Sequence, residues 1–132
     1  MNSNILKAIQ TDQAPQAIGP YSQAVAAGPF LYISGQIPID PQTGIVTGPT
    51  IEVQTEQVLD NIEAILHAAG LTLEHVVKTE VYLKDMQDFA AVNTLYAKRF
   101  SHPVKPARQA MQVGKLPLDV RIEISCIAFI PK

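Results

Sequence analysis

The stretch that decides the fold reads Pro106-Ala107-Arg108-Gln109-Ala110-Met111-Gln112-Val113 and, after a break, Val120-Arg121-Ile122-Glu123-Ile124-Ser125-Cys126-Ile127-Ala128. Both segments alternate polar and apolar residues with a period of two, which is typical of half-buried β-strands. The break between them contains Gly114, Pro117 and Asp119, residues that favour a turn over a strand. The pattern therefore predicts an antiparallel β-hairpin.

The alternation places Arg108 and Glu123 on the same polar face of this predicted hairpin. If the chain reverses near Leu116, Arg108 falls roughly opposite Ser125. Arg108 and Glu123 then become diagonal neighbours, whereas a register shift of one residue would separate them. Two interpretations stay open at this point: a site for a shared ligand, or a solvated hairpin face with a surface ion pair.

An arginine and a glutamate so placed offer complementary chemistry to a small molecule. The planar guanidinium of Arg108 can hold a carboxylate through two parallel hydrogen bonds. The carboxylate of Glu123 can position or deprotonate a water molecule, which typically contributes about 10²–10⁴ in rate. The pair therefore suits a small substrate that carries its own carboxylate next to an electrophilic carbon.

Length and composition indicate one soluble domain over residues 1–132, because 47% of the residues are hydrophobic and 17% are charged. A net charge of −2 argues against nucleic acid as the main partner. The single cysteine permits no internal disulfide, and we find neither a signal peptide nor an apolar run long enough for a membrane helix. We therefore expect a cytoplasmic protein that binds no membrane.

The rest of the chain predicts further strands and two amphipathic helices. The predicted helices begin after Thr50 and Asp88, which are both suitable N-caps. Two helices can cover one face of a sheet of this size, so we expect an α+β fold. The other face combines charged, polar and aromatic side chains, and we expect it to meet a partner subunit. The predicted strands cover residues 4–9, 24–27, 30–34 and 76–83. The predicted helices cover residues 51–69 and 89–100. The face that meets the partner subunit is expected to carry Tyr32, Ser34, Tyr82, Arg108, Gln112 and Glu123.

Several kinds of chemistry have no support in the sequence. His67, His75 and His102 are scattered, and no spacing of cysteine, histidine or carboxylate residues resembles a metal site. There is no glycine-rich nucleotide loop either, so we expect neither a metal nor a cofactor. Cys126 shares the apolar face of Ile122, which is typical of a buried structural thiol and not of a nucleophile.

The ordered succession of short motifs along the chain resembles the Rid family (reactive intermediate deaminases, the YjgF-type proteins). The resemblance covers essentially the whole chain without large gaps. The motifs are Ile18-Gly19-Pro20-Tyr21, Ser34-Gly35-Gln36-Ile37-Pro38, Gly44, Leu59-Asp60-Asn61, Ala68-Ala69-Gly70-Leu71, Val77-Lys78-Thr79, Lys84-Asp85, Phe89-Ala90-Ala91-Val92-Asn93, Pro106-Ala107-Arg108, Leu116-Pro117 and Val120-Arg121-Ile122-Glu123-Ile124.

This resemblance implies a YjgF/chorismate-mutase-like fold, with a mixed β-sheet and two helices on one face. It further implies a homotrimer whose sheets face the threefold axis and whose sites lie in the clefts between subunits. The implied reaction is the hydrolysis of 2-imino acids and their enamine tautomers, such as 2-iminobutanoate and 2-iminopropanoate, to 2-keto acids and ammonia, without a metal or cofactor.

The resemblance also implies roles for individual residues. Arg108 would bind the substrate carboxylate and Glu123 would orient the attacking water, as a general base or by ordering it alone. The remaining implied substrate-binding residues are Tyr21, which would close the pocket, Ser34 and Gly35, which would border it, and Asn93 beside it.

One departure from the family pattern concerns Ala110, also an implied substrate-binding residue, at a position where a cysteine is common. If the family uses mainly the backbone there, Ala110 can substitute; if the sulfur matters, substrate range or rate should differ. A non-catalytic trimer that binds small carboxylated metabolites or client proteins in the same clefts is the alternative function. A ribonuclease or translation inhibitor is disfavoured by the acidic balance and the lack of a basic stripe.

Overall fold

A computed structural model describes residues 5–132 of the chain. The elements alternate between strands and helices, with short helical turns at 73–75, 86–88 and 117–119. In chain order they are β1 (Lys7–Ile9), β2 (Ala24–Ala27), β3 (Phe30–Gln36), α1 (Ile51–Ala68), β4 (Val76–Leu83), α2 (Phe89–Arg99), β5 (Ala107–Gln112) and β6 (Ile122–Phe129).

The strands form one sheet in the order β1-β2-β3-β6-β4-β5. Neighbouring strands run antiparallel except β4 and β5, which are parallel. The sheet is therefore mixed, and α1 and α2 pack against its buried face and against each other. The predicted α+β class with two helices on one face is confirmed.

The predicted hairpin between β5 and β6 is wrong, because β4 lies between these two strands. Thr79 of β4 pairs with Arg108 on one side and with Cys126 on the other. Helix α2 connects β4 to β5, and such a crossover allows the two strands to run parallel. Residues 113–121 then carry the chain past β4, and β6 enters the sheet between β3 and β4.

The other predicted strands are found close to their expected positions. β2 and β3 pair around Gly28, as predicted. The strand expected over residues 4–9 is β1, which begins at Lys7, and residue 4 lies outside the described residues. Val77 is exposed, although strict alternation along β4 would place it on the same side as the buried Thr79 and Val81, because the pairing of β4 with β6 shifts at this position.

Helix α1 follows the predicted pattern. The Thr50 hydroxyl accepts a hydrogen bond from the Val53 N–H at 3.2 Å, which satisfies one of the free donors at the helix start. Beyond the helix end, Gly70 has a φ of +77°, a conformation that glycine adopts without steric cost. The apolar face packs into the core through Val58, Leu59, Ile62, Ile65 and Leu66.

The start of α2 differs from the prediction. Asp88 makes no capping hydrogen bond, because the chain enters α2 through a helical turn that begins earlier. Asp85 caps that turn by accepting a hydrogen bond from the Gln87 N–H at 2.9 Å. The carboxylate of Asp88 is instead 3.3 Å from Nε of Arg121.

The two faces of the sheet have different chemistry. The helix-covered face is apolar and contributes Leu31, Ile33, Val81, Leu83, Ile122, Ile124 and Cys126 to the core. The other face, called the open face below, carries Tyr32, Ser34, Lys78, Glu80, Tyr82, Glu123 and Ser125, which alternate with those core residues along β3, β4 and β6.

The predicted membership of the open face is wrong for Arg108 and Gln112. Both lie on the helix-covered side of β5, where they pair with the buried Thr79 and Leu83. Oε1 of Gln112 accepts a hydrogen bond from the Met86 N–H at 2.8 Å. Among the described residues, no helix is long and apolar enough to cross a membrane.

Candidate active site

Arg108 and Glu123 lie on opposite faces of the sheet. Arg108 pairs with Thr79, whose side chain is buried on the helix side, whereas Glu123 pairs with Tyr82 on the open face. The predicted diagonal contact within one chain is therefore wrong, because it depended on a direct pairing of β5 with β6. The chain instead presents two separate groups of polar residues.

The first group, called the arginine cluster, consists of Phe89, Asn93, Tyr96 and Arg108. Nη1 of Arg108 donates a hydrogen bond to Oδ1 of Asn93 at 2.6 Å. The guanidinium carbon lies 5.2 Å from the ring centre of Phe89 and 4.9 Å from that of Tyr96, so both rings make cation–π contacts. All three partners belong to α2, at a spacing that brings them to one side of the helix.

Arg108 differs from the other two arginines in having no acidic partner in the described part of the chain. Arg99 and Arg121 each make ion pairs, but Arg108 makes none within residues 5–132. Its side chain borders an open groove of about 560 Å³ that is also lined by Tyr96, Ala97, Phe100, Lys105 and Pro106. Asn93 occupies only Nη1, so an exposed guanidinium edge is left to hold an anion.

The second group, called the glutamate cluster, consists of Gly35, Tyr82 and Glu123. The Glu123 carboxylate lies against Gly35, where any side chain larger than hydrogen would overlap it. Within residues 5–132, Glu123 makes no hydrogen bond and no ion pair. Half-burial without a partner raises the pKa of Glu123, because burial disfavours the charged form.

A neighbouring carboxylate on the open face is already engaged. Oε1 of Glu80 accepts a hydrogen bond from the Tyr82 hydroxyl at 2.9 Å and a longer one from the Ser125 hydroxyl at 3.5 Å. The pKa of Tyr82 is raised, chiefly by this bond to Glu80 and also by burial. Lys78 pairs with Glu80 at 3.7 Å. Glu123 is therefore the carboxylate on this face that is left to act on a ligand.

Of the remaining predicted site residues, Ala110 and Ser34 lie on strands beside members of the two clusters. Ala110 lies on the helix-covered side of β5 together with Arg108 and is partly buried. Ser34 precedes Gly35 in β3, and its hydroxyl donates a hydrogen bond to the Ser22 carbonyl at 2.6 Å. Tyr21, immediately before Ser22, is exposed. The structure thus groups Asn93 and Ala110 with Arg108, and Ser34 and Gly35 with Glu123.

Sequence reasoning missed the aromatic part of the arginine cluster. Phe89 and Tyr96 belong to the apolar stripe of α2 and pack against the core. Their ring faces also meet Arg108, which the helical spacing of Phe89, Asn93 and Tyr96 could have suggested once α2 was known to cover β5.

Metal and thiol chemistry find no supporting geometry in residues 5–132. No three histidine, cysteine or carboxylate residues in this range are grouped to hold a metal ion. Cys126 is buried in the core, as predicted, and burial raises the pKa of its thiol to about 12. A neutral thiol enclosed by the core is a poor nucleophile.

Comparison with known proteins identifies relatives along nearly the whole chain. The family model described as endoribonuclease L-PSP matches residues 11–130. A RutC family protein of Pyrococcus horikoshii is 58% identical over 121 residues, which cover 92% of this chain and 95% of that protein. The chloroplastic Reactive Intermediate Deaminase A of Arabidopsis thaliana is 48% identical over 120 residues, which cover 91% of this chain and 64% of that protein.

Solved structures have the same fold. The Rid family protein YyfA of Yersinia pestis superposes with a TM-score of 0.93 at 44% identity, covering 95% of this chain and 99% of that chain. TdcF of E. coli with bound serine gives a TM-score of 0.90 at 41% identity, with 95% and 99% of the two chains covered. The chain therefore belongs to the Rid (YjgF-type) family, whose family model carries the description endoribonuclease L-PSP.

Proposed function

We propose that this protein hydrolyses reactive 2-imino acids and their enamine tautomers, such as 2-iminobutanoate and 2-iminopropanoate, to 2-keto acids and ammonia. The observation that carries the proposal is the presence of two charged groups that have no ion-pair partner within residues 5–132, the stacked guanidinium of Arg108 and the half-buried carboxylate of Glu123. Support also comes from the relative named Reactive Intermediate Deaminase A and from the serine bound by TdcF, since serine carries a carboxylate.

The two clusters require a second subunit to meet at one substrate. Because they face opposite sides of one sheet, a single chain cannot place both against a small molecule. We propose a homotrimer in which the open faces turn toward the threefold axis and the arginine cluster of one subunit approaches the glutamate cluster of the next. Polar residues on an uncovered sheet face are compatible with such an interface.

The proposed mechanism uses positioning and polarisation. Arg108 holds the substrate carboxylate through its free edge, which fixes the adjacent imine carbon. Glu123 accepts a hydrogen bond from a water molecule and directs its oxygen at that carbon. Addition of this water forms a new C–O bond and breaks the π bond of the C=N group, and one water proton passes to the imine nitrogen, which gives a tetrahedral carbinolamine. The C–N bond then breaks as the carbonyl forms and the hydroxyl proton passes to nitrogen, which releases ammonia and leaves the 2-keto acid, so that one water is consumed for each imine.

The remaining site residues have supporting roles in this proposal. Asn93 fixes the guanidinium of Arg108, Gly35 gives the Glu123 carboxylate its space, and Ser34 and Tyr21 border the cleft. Ala110 leaves no thiol beside Arg108, so the proposed reaction uses none. We propose that the protein needs no cofactor, binds neither nucleic acid nor membrane, and acts in the cytoplasm, where a single free cysteine stays reduced.

The test is the release of 2-keto acid from freshly generated 2-iminobutanoate. We expect the wild-type protein to accelerate release and Arg108→Ala to abolish saturation by this carboxylated substrate. Glu123→Gln should keep binding but slow turnover. Equal rates with and without protein would remove the enzymatic proposal.

Two alternatives predict different outcomes. A non-catalytic trimer would bind 2-oxobutanoate through Arg108 without accelerating imine hydrolysis. A ribonuclease, as the family description suggests, would cleave RNA in highly purified samples, and that cleavage would survive Arg108→Ala. The net charge of −2 disfavours this second alternative because RNA binding draws on clustered cations.

A further inference from the structure

A buried hydrogen bond lies directly beneath the arginine cluster. The hydroxyl groups of Thr79 and Tyr96 are 2.7 Å apart. Thr79 is fully buried in β4, and the exposed fraction of Tyr96 is only 7%. Because β4 and β5 pair in register at Thr79 and Arg108, this bond lies at the level of the guanidinium.

The bond limits the movement of the ring on which Arg108 rests. A tyrosine ring can rock and shift within its packing, but here its hydroxyl group is hydrogen-bonded to a central strand. Its ring also packs against that of Phe100, with 4.5 Å between the ring centres and an interplanar angle of 35°. Burial raises the pKa of Tyr96, while the Thr79 bond and the nearby Arg108 charge oppose this rise. The hydroxyl therefore stays protonated and its bond to Thr79 persists through the neutral range.

We propose that Thr79 and Tyr96 are positioning residues that fix the guanidinium of Arg108 for carboxylate binding. Tyr96 supplies one fixed ring face, Phe89 supplies a second, and Asn93 holds Nη1 at 2.6 Å. An arginine restrained in this way loses less conformational freedom when it binds an anion. This inference rests on the proposed function only in assigning the carboxylate to Arg108.

Thr55 provides a matched control for Thr79. Both threonines are fully buried, but the Thr55 hydroxyl has no hydrogen-bond partner among residues 5–132. Replacing either by valine removes one buried hydroxyl and keeps the branched shape. Only Thr79→Val breaks the contact with Tyr96, whereas Thr79→Ser keeps a hydroxyl at that position.

The first measurement is calorimetric affinity for 2-oxobutanoate, used as the carboxylate probe on the full-length protein. We expect Thr79→Val and Tyr96→Phe each to weaken binding about fivefold, because a guanidinium that is less restrained in the free protein loses more conformational freedom when it binds the carboxylate. Tyr96→Leu, which removes the ring face, should weaken it about tenfold. Thr79→Ser and Thr55→Val should bind as the wild type does.

The second measurement needs no ligand. The chain has three arginines, so the Nε–H region of a ¹⁵N spectrum contains few signals, and Arg108→Lys identifies that of Arg108. A guanidinium held over two ring faces is shifted upfield by their ring currents. We expect Thr79→Val to reduce this shift and Thr55→Val to preserve it.

The two measurements separate the inference from the proposed function. If Arg108→Ala leaves 2-oxobutanoate binding unchanged, the assigned substrate contact is wrong, and the ring-current shift still tests whether Thr79 and Tyr96 fix the guanidinium. If Arg108→Ala abolishes binding but Thr79→Val behaves like Thr55→Val in both measurements, the positioning role is overturned. Melting curves of each variant identify any loss of folding.

Discussion

Arg108 and Glu123 project from opposite faces of one sheet, separated by the strand β4 to which both of their strands pair. Each group lacks an ion-pair partner within residues 5–132; Asn93 holds the guanidinium of Arg108, and the Glu123 carboxylate lies against Gly35. A guanidinium on aromatic rings and a half-buried carboxylate are chemically complementary. Their separation within one chain makes the contact between subunits the central feature of the proposed site.

Gly35 tests the placement of Glu123. We expect Gly35→Ala to slow imine hydrolysis about 10–100-fold, because the added methyl group would displace the Glu123 carboxylate from its position over the strand. The melting temperature should change little, since the end of a glutamate side chain can move aside. Steady-state rates and thermal melts measure the two effects.

Gly114→Ala is the matched control for that change. A methyl group at Gly114 meets no atom of residues 5–132 within 4 Å, and Gly114 does not have a positive φ. Its activity should equal that of the wild type. Equal activity of Gly35→Ala and Gly114→Ala would show that the carboxylate position does not matter.

Thiol reagents test the role of the single cysteine. Cys126 is enclosed by the core and burial raises its pKa to about 12, so iodoacetamide at pH 8 should neither modify the folded protein nor reduce its activity. Mass spectrometry should show modification only after denaturation. Ala110→Cys serves as the positive control because it introduces a partly exposed thiol beside Arg108. Inactivation of the wild type by the reagent would contradict this assignment.

The same thiol predicts a difference in alkaline stability. Above its ordinary pKa of 9.0, the thiol loses its proton in the unfolded chain, but in the folded chain it keeps it up to about pH 12. The unfolded state then binds fewer protons, so the free energy of unfolding falls as pH rises above 9.0. Cys126→Ala should lack this part of the decline. Denaturant titrations of both proteins at pH 8 and 10 provide the comparison, and parallel declines would contradict the assignment.

Arg99 tests the contact between the two helices. Its guanidinium makes ion pairs with Glu56, Asp60 and Glu63 of α1 at 2.8, 2.9 and 2.7 Å. We expect Arg99→Gln to lower the free energy of unfolding by about 1–2 kcal/mol after allowance for solvent screening, and less at high salt. Lys98→Gln, which removes a neighbouring cation without an ion pair in residues 5–132, should have little effect in the same denaturant titration.

The sequence predicted local structure better than strand pairing. The spacing of Val58, Ile62 and Ile65 depends on neighbours within one helix, so α1 could be located from periodicity. Strand pairing depends on distant segments. The chain forms a crossover through α2 and not a β5–β6 hairpin, because β6 pairs between β3 and β4. Alternation within β5 carries no information about this pairing.

The same limitation explains the site. β5 is an edge strand on which every residue except Ala110 is exposed, so its alternation did not reveal which side meets the helices. Arg108 and Glu123 were identified by residue type and motif, but their relation in space depended on the position of β4. The aromatic partners of Arg108, Phe89 and Tyr96, come from α2. Because both rings also pack against the core, their helical pattern alone did not indicate the contact with Arg108.

Complementation between two inactive variants tests the central claim most directly. Arg108→Ala and Glu123→Gln should each be nearly inactive in imine hydrolysis when prepared alone. If each site takes Arg108 from one subunit and Glu123 from its neighbour, refolding an equal mixture should restore about one quarter of wild-type activity, because half of the subunits supply each intact group. A mixture no more active than the two separate preparations would contradict a site shared between subunits.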